Sequence, residues 1–147
     1  MSSKIGWCMK QMRGIKIIGS NDNLCKEYLK SSEEDFINLE KVSGKWTAVT
    51  AYYACYNALY ALLCKVGIKC EIHECTIDLM GILGYNKTDI RFIEGLKDNR
   101  IQSQYYLKRP EKINIFEIRK FITKTKGIIL NFDENKVKET LSKLKNG

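Results

Sequence analysis

The chain has 147 residues, a formal net charge of +8 and a single proline, with many lysines and isoleucines. This length fits one domain with a hydrophobic core, and the composition argues against a turn-rich β-protein. The N-terminus has no uninterrupted apolar segment like that of a signal peptide. We therefore expect a cytoplasmic protein that folds as one domain over residues 1–147.

The first elements are predicted from turn residues and helix caps. Residues 1–20 carry apolar side chains among basic ones, so they are expected to form an N-terminal arm or a short amphipathic helix. Asn21 or Asp22 then caps a second helix, which runs to about Val42 with its apolar residues largely on one face. Ser43 and Gly44 break the chain before the next segment.

The segment Lys45–Val66 is apolar almost all round at the helical period, which is typical of a helix buried in a helical core. Its 22 residues would also be long enough to cross a membrane. Four tyrosines, an asparagine and two threonines lie within it, and the chain has no second such segment. The sequence therefore predicts a core helix and no membrane association.

The remaining helices are predicted from apolar periodicity. Gly67 ends the core helix, Gly84 ends the third helix, and Pro110 interrupts the chain after the fourth. The expected bounds of the third, fourth, fifth and last helices are about 72–83, 88–100, 114–126 and 134–145. Residues 127–132 form a short apolar run that periodicity does not classify. The predicted fold is an all-α antiparallel bundle of about five helices.

The charge is unevenly distributed along the chain. Residues 108–147 contain eleven Lys or Arg against five Asp or Glu, whereas residues 22–40 contain two basic and six acidic residues. A basic C-terminal part suggests phosphate-bearing partners such as nucleic acid. The alternative is a solvated helix face without any such role.

Six cysteines raise the question of metal binding. Cys70, His73 and Cys75 have a spacing that resembles half of a zinc site, but Cys64 is the one nearby candidate for a fourth ligand. Cys55 and Cys64 belong to the core helix, where cysteine behaves as a small apolar residue. We therefore predict no metal and no cofactor, and in a cytosolic protein we expect no disulfide.

The most polar interruption of the apolar pattern runs from Asp98 to Tyr106. The guanidinium of Arg100 has the planar geometry that suits phosphate, and a neighbouring tyrosine can stack on a base. On a continuous helix Arg100 and Tyr105 would diverge by about 140°, so they are expected to meet only if the helix ends near Arg100. The alternative is that Arg100 only stabilises a helix C-terminus.

A second candidate is the tyrosine cluster of the core helix, in which Tyr52 and Tyr56 share a face beside Asn57. Buried tyrosine hydroxyls need hydrogen-bond partners, and Arg100 is a candidate. The alternative is a set of core aromatics without a further role. His73 is the only histidine, and the chain has no P-loop, nucleophile elbow or glycine-rich dinucleotide turn.

Three of these segments, in this order, resemble the HEPN family (higher eukaryotes and prokaryotes nucleotide-binding), in particular its small stand-alone members. Ala51-Tyr52-Tyr53-Ala54 matches a signature of their core helix. Gly67-Ile68 followed by His73 matches the start of their next helix, and Arg100 with Tyr105 five positions later matches a third motif. The resemblance extends over roughly residues 21–132.

The resemblance implies a bundle of about five helices, often a homodimer, with both copies of the Arg motif in the cleft. Many HEPN proteins are metal-independent ribonucleases, and several are toxins paired with a small nucleotidyltransferase antitoxin. Their catalytic motif has a polar residue after the Arg and then a His, whereas this chain has Ile101 and Tyr105. A tyrosine with a pKa near 10 is a poor base at neutral pH, so binding is favoured over cleavage.

The leading hypothesis is therefore a HEPN-type module that binds RNA or a nucleotide, as a homodimer and beside a nucleotidyltransferase partner. The expected ligand-binding residues are Tyr52, Asn57, Asn99, Arg100, Tyr105 and Tyr106, with Tyr52 and Asn57 supporting Arg100. One alternative is a metal-independent ribonuclease toxin in which Arg100 acts with Tyr105 or His73. Another is a structural module that binds only a protein partner.

Overall fold

The computed structural model describes residues 3–146, which form eight helices and one pair of two-residue strands. The elements are α1 (Ser3–Lys10), β1 (Lys16–Ile17), α2 (Asp22–Leu39), α3 (Lys45–Val66), β2 (Ile68–Lys69), α4 (His73–Asp78), α5 (Met80–Leu83), α6 (Lys87–Gln104), α7 (Ile115–Leu130) and α8 (Glu134–Asn146). The prediction of an all-α bundle is confirmed. The expected number of about five helices is lower than the eight of the described residues, in which the N-terminal segment forms α1 and the predicted third helix is divided into α4 and α5.

Helix α3 has the predicted bounds and lies at the centre of the bundle, in contact with α2, α6 and α7. Ala51, Ala54, Ala58 and Ala61 are fully buried, and such small side chains allow neighbouring helices to approach closely. The Ser32 hydroxyl of α2 is buried as well and donates a hydrogen bond of 2.6 Å to the Ala54 carbonyl. Burial of this helix accounts for its nearly continuous apolar sequence. Within residues 3–146, no helix combines the length and apolarity that a membrane crossing requires.

Asparagines begin three of the long helices. The Asn21 side chain accepts a hydrogen bond from the Leu24 N–H, as the prediction of a cap at this position requires. Asn86 and Asp89 form a reciprocal capping box at the start of α6, and Asn114 caps α7. Each cap provides an acceptor for an N–H group that has no partner within its helix.

Three boundaries differ from the sequence prediction. The predicted third helix is divided at Leu79 into α4 and α5. Helix α6 continues past Arg100 to Gln104, and α7 continues through the unclassified apolar run to Leu130. The strand pair was not expected, because two residues per strand are too few to produce an alternating pattern.

The expectation of no disulfide is wrong for this structure, in which Cys8 of α1 is bonded to Cys75 of α4. Both cysteines are buried, and the bond ties the N-terminal helix to the segment that carries His73. The Cys70 thiol donates to the Ile72 carbonyl at 3.4 Å. Among the described residues no group of three or more His, Cys, Asp or Glu side chains is arranged to hold a metal ion.

Candidate functional site

Arg100 lies near the end of α6 with its side chain directed at the tyrosines of α3. Its Nη1 donates a hydrogen bond of 2.7 Å to the Tyr53 hydroxyl. The guanidinium carbon is 5.0 Å from the centre of the Tyr52 ring, 5.4 Å from that of Tyr53 and 5.9 Å from that of Tyr105. At these distances the aromatic rings attract a cation through their quadrupoles. Arg100 is therefore held on three tyrosines.

Within residues 3–146 no carboxylate forms an ion pair with Arg100, and its buried Nε has no hydrogen-bond partner. Arg119 of α7 shows the opposite arrangement. Two of its nitrogens bind the two oxygens of Glu33 at 2.8 and 2.7 Å, and they hold the pKa of that carboxyl down at about 2. Arg119 thus has a counter-ion inside the fold, whereas Arg100 has none among the described residues.

His73, at the start of α4, joins the same cluster. Its ring stacks on that of Tyr56 at 4.1 Å, and its Nδ1 is 2.7 Å from the Tyr52 hydroxyl. Tyr52 is fully buried, and burial raises the pKa of its hydroxyl, which therefore keeps its proton. Because this hydroxyl has no other hydrogen-bond partner in the described part of the chain, it donates to Nδ1. The neutral ring then carries its own proton on Nε2.

Burial, with the positive charges of Arg100 and Lys97 in addition, lowers the pKa of His73 to about 4. The imidazole is consequently neutral at pH 7, although an unperturbed histidine has a pKa near 6.5. A neutral ring adds no charge beside Arg100 and offers an N–H donor. A protonated ring would lose the hydrogen bond that its Nδ1 accepts from Tyr52.

This lowered pKa predicts a loss of stability in mild acid. The unfolded chain binds a proton at His73 below pH 6.5 and the folded protein only below about pH 4, so stability falls as the pH decreases through this interval. We expect the melting temperature of the His73→Gln variant to fall less than that of the wild type between pH 7 and pH 5. The difference should be about 3–5 °C, because the half-buried position weakens the effect.

Thermal unfolding followed by circular dichroism at pH 7, 6 and 5 measures this difference. Glu33, whose pKa is lowered to about 2, loses its contribution to stability between pH 4.5 and pH 2, so it does not affect the interval above pH 5. Melting temperatures that decrease by the same amount with pH in the wild type and in His73→Gln would contradict the lowered pKa of His73.

Tyr105 lies close to Arg100 although the helix between them is continuous, an arrangement that the sequence analysis did not expect. We expected contact only if the helix ended near Arg100, but α6 is helical to Gln104 and Tyr105 itself is the C-cap residue. The Tyr105 side chain, which is 64% exposed, lies 5.9 Å from the guanidinium across the end of the helix. The exposed position leaves most of the ring free to stack on a ligand.

Two other predicted ligand-binding residues are engaged elsewhere. Asn57 does not support Arg100, because its Nδ2 donates to Asp35 of α2 at 2.9 Å. Asn99 is buried and holds the segment after α6 by accepting from the Glu111 N–H and donating to the Glu111 carbonyl. Tyr106 is exposed and makes no hydrogen bond among the described residues.

Tyr53 was missing from the predicted site residues, although it binds Arg100 directly. Successive residues on a helix point about 100° apart, so Tyr52 and Tyr53 were both plausible partners before the rotation of α3 was known. The structure assigns the ring of Tyr52 and the hydroxyl of Tyr53 to Arg100. The Ala-Tyr-Tyr-Ala signature contained this residue, but only the packing of α6 on α3 reveals its role.

Comparisons with protein-family models, with curated proteins and with solved structures find no match to this chain. The resemblance to the HEPN family therefore remains a prediction that rests on the three sequence motifs. Any function must be argued from the geometry of Arg100 and its neighbours.

Proposed function

We propose that this protein is a HEPN-type helical module that binds RNA or a nucleotide, with Arg100 as the phosphate-binding residue. The observation that carries the proposal is a half-buried guanidinium that is supported by three tyrosines and lacks a carboxylate partner among residues 3–146. Partial burial of a cation without a counter-ion is unfavourable, and a bound phosphate would provide both the opposite charge and an acceptor for the buried Nε.

The surrounding residues supply complementary interactions. The Tyr53 hydroxyl orients the guanidinium, and the exposed Tyr105 ring supports stacking of a base or a ribose. The Nε2–H group of neutral His73 provides a second donor that does not add positive charge. Together these groups recognise an anion attached to a planar ring, which is the chemistry of a nucleotide.

The basic C-terminal part contributes less to this proposal than its composition suggests. Arg119 and Lys126 both bind Glu33 of α2, and Lys124 binds Asp89 of α6. These three cations stabilise the packing of α7, and the two carboxylates that they share compensate two of the three charges. Salt-dependent attraction of RNA then depends on the remaining exposed lysines, and specific binding depends on Arg100.

The test is binding of single-stranded RNA and of nucleoside 5′-monophosphates to the wild type, Arg100→Ala and Arg91→Ala. Arg91 is the matched control, because it lies on the exposed side of the same helix without any ion pair to a described residue. We expect Arg100→Ala to weaken binding at least about tenfold, since a charge-assisted hydrogen bond contributes about 1.5–3 kcal/mol. Arg91→Ala should bind within about twofold of the wild type.

The melting temperature separates this proposal from a purely structural role. Arg100→Ala removes no ion pair within the described residues, so its melting temperature should stay within a few degrees of the wild type. A drop of many degrees together with unchanged binding would assign Arg100 to the fold alone. A protein that binds no RNA and no nucleotide would exclude the proposal and leave the protein-partner module as the alternative.

A metal-independent ribonuclease is the second candidate, favoured by the proximity of His73 to Arg100. The Tyr52 hydrogen bond leaves a proton on the free Nε2, so neutral His73 has no lone pair there to accept the proton of a 2′-hydroxyl. It also carries no second proton to give to a leaving oxygen, because its pKa is lowered to about 4. We therefore expect RNA incubated with chelator to remain intact. Cleavage that is lost in Arg100→Ala would make the protein a ribonuclease.

The resemblance also implies a homodimer and a nucleotidyltransferase partner, and both belong to this proposal. Tyr105, Tyr106 and Leu107 are large, consecutive and exposed directly after α6, which supports an interface beside Arg100. The mass of the purified protein by light scattering tests the dimer. A small nucleotidyltransferase gene next to the gene for this protein, and co-purification of the two products, test the partner.

A further inference from the structure

A groove of about 290 Å³ opens beside Arg100, between α2, α3 and the segment that leads into α4. Its walls are mainly aromatic, with the Tyr28 and Tyr60 rings 4.8 Å apart at one side and the stacked Tyr56 and His73 rings at the other. We refer to it as the tyrosine groove. Ligand pockets for drug-sized molecules begin near 300 Å³, so this volume suits one small planar ring system.

Tyr53 connects the groove to Arg100. Its ring lines the groove and its hydroxyl accepts the 2.7 Å hydrogen bond from Arg100 Nη1. A group bound at the guanidinium and a ring in the groove are therefore separated by about one tyrosine side chain. That spacing is comparable to the separation between the 5′-phosphate and the base of a nucleotide.

The charges at the two ends of this arrangement are opposite. Arg100 lies at one end, and Glu71, an exposed acidic residue, is among those that line the groove. The Glu71 side chain forms no ion pair and no hydrogen bond with the described residues. A phosphate is attracted to Arg100 and repelled by Glu71, so a bound nucleotide would direct its base towards the carboxylate.

We propose that the tyrosine groove is a base-binding subsite that selects guanine, with the guanine edge on the Glu71 carboxylate and the phosphate of the same nucleotide on Arg100. This inference rests on the proposed function, because it names the base in a site whose phosphate-binding residue was assigned above. It adds a role for Glu71, which none of the sequence motifs contains.

The selection of guanine follows from the chemistry of a carboxylate. An ionised carboxylate offers two adjacent acceptors and no donor. Guanine presents two adjacent donors, N1–H and the N2 amino group, on its Watson–Crick edge. Adenine and cytosine place an acceptor beside their amino group, and uracil has a single N–H between two carbonyls. Each of these three bases would bring an oxygen or nitrogen lone pair against Glu71, which is unfavourable.

Titration with GMP, AMP, CMP and UMP tests the inference on the wild type, Glu71→Gln and Arg100→Ala. We expect the wild type to bind GMP at least about tenfold more tightly than the other three, as for a good bidentate base contact. Glu71→Gln should remove this preference and improve binding of AMP, because an amide offers the donor and acceptor that adenine requires. Arg100→Ala should weaken binding of every nucleotide that the wild type binds.

Glu139→Gln is the matched control, since Glu139 is an exposed carboxylate on α8 without an ion pair in the described part of the chain. It should retain the wild-type preference. Equal binding of the four nucleotides, or a preference that persists in Glu71→Gln, would overturn the guanine subsite while Arg100-dependent binding still supported the proposed function. RNA binding that depends on Arg100, in a protein that binds none of the four mononucleotides, would also overturn the guanine subsite and still support the proposed function. Absence of all nucleotide and RNA binding would overturn both.

Discussion

Replacing Cys8 and Cys75 together by serine is expected to lower the free energy of unfolding by about 4 kcal/mol. The disulfide joins residues 67 positions apart, so it removes a large part of the conformational freedom of the unfolded chain. It also fixes α1 against α4, two elements that otherwise share a small contact. A loss of this size would lower the melting temperature of a chain of this length by roughly 10–15 °C.

Thermal unfolding of the wild type and the double variant, each with and without reductant, measures this effect. Reductant should lower the melting temperature of the wild type and leave that of the double variant unchanged, which makes the variant its own control. Thiol titration of the unfolded wild type should find the four free cysteines of the structure, Cys25, Cys55, Cys64 and Cys70. Six reactive thiols without reductant would show that the bond does not form in the purified protein.

The helices could be predicted because their signals are local. The apolar period and the flanking glycines fixed Lys45–Val66 to the residue, and Asn21 marked the start of α2 through its capping side chain. These signals involve residues within one or two turns of each other. Helix α6 was predicted too short, because the polar composition of residues 98–104 resembles a loop while Asn99 and Ser103 are in fact buried.

The disulfide and the strand pair could not be predicted in the same way, because both depend on contacts between distant segments. Cys8 was one of six cysteines, and nothing near it in the sequence indicates Cys75 as its partner. The pairing of Lys16 with Lys69 and of Ile17 with Ile68 is equally invisible to periodicity. Such contacts form only when segments that are distant in the sequence pack together in the folded chain.

Prediction of the site was partial for a related reason. The sequence identified Arg100, Tyr52, Tyr105 and His73, and the structure brings all four together. It expected Asn57 to support Arg100, whereas the Asn57 amide binds Asp35 of α2, since a helix that is apolar almost all round gives no indication of which face meets α6. The rotation of α3 about its own axis is set by the helices that pack against it. This rotation determines which of its tyrosines face Arg100.

Gly67→Ala is expected to be strongly destabilising, with a loss of more than about 3 kcal/mol in the free energy of unfolding. Gly67 ends α3 with a φ of +98°, which costs an alanine about 1–2 kcal/mol. A Cβ atom here would also lie 2.7 Å from the Gly19 carbonyl carbon and 2.8 Å from the Ser20 nitrogen. Both neighbours are backbone atoms of the crossing segment, so neither can rotate away.

Gly84→Ala is the matched control, because Gly84 ends α5 with a φ of +109° but a Cβ there would contact nothing within 4 Å. It should lose only the conformational cost of about 1–2 kcal/mol. Urea unfolding of both variants separates backbone strain from the collision at Gly67. Equal losses in the free energy of unfolding of the two variants would mean that the backbone around Gly19 moves to accommodate the added Cβ. If the segment around Gly19 does not move, the added Cβ must displace the chain that follows Gly67 and leads to His73. The acid sensitivity that His73 confers should then change in Gly67→Ala.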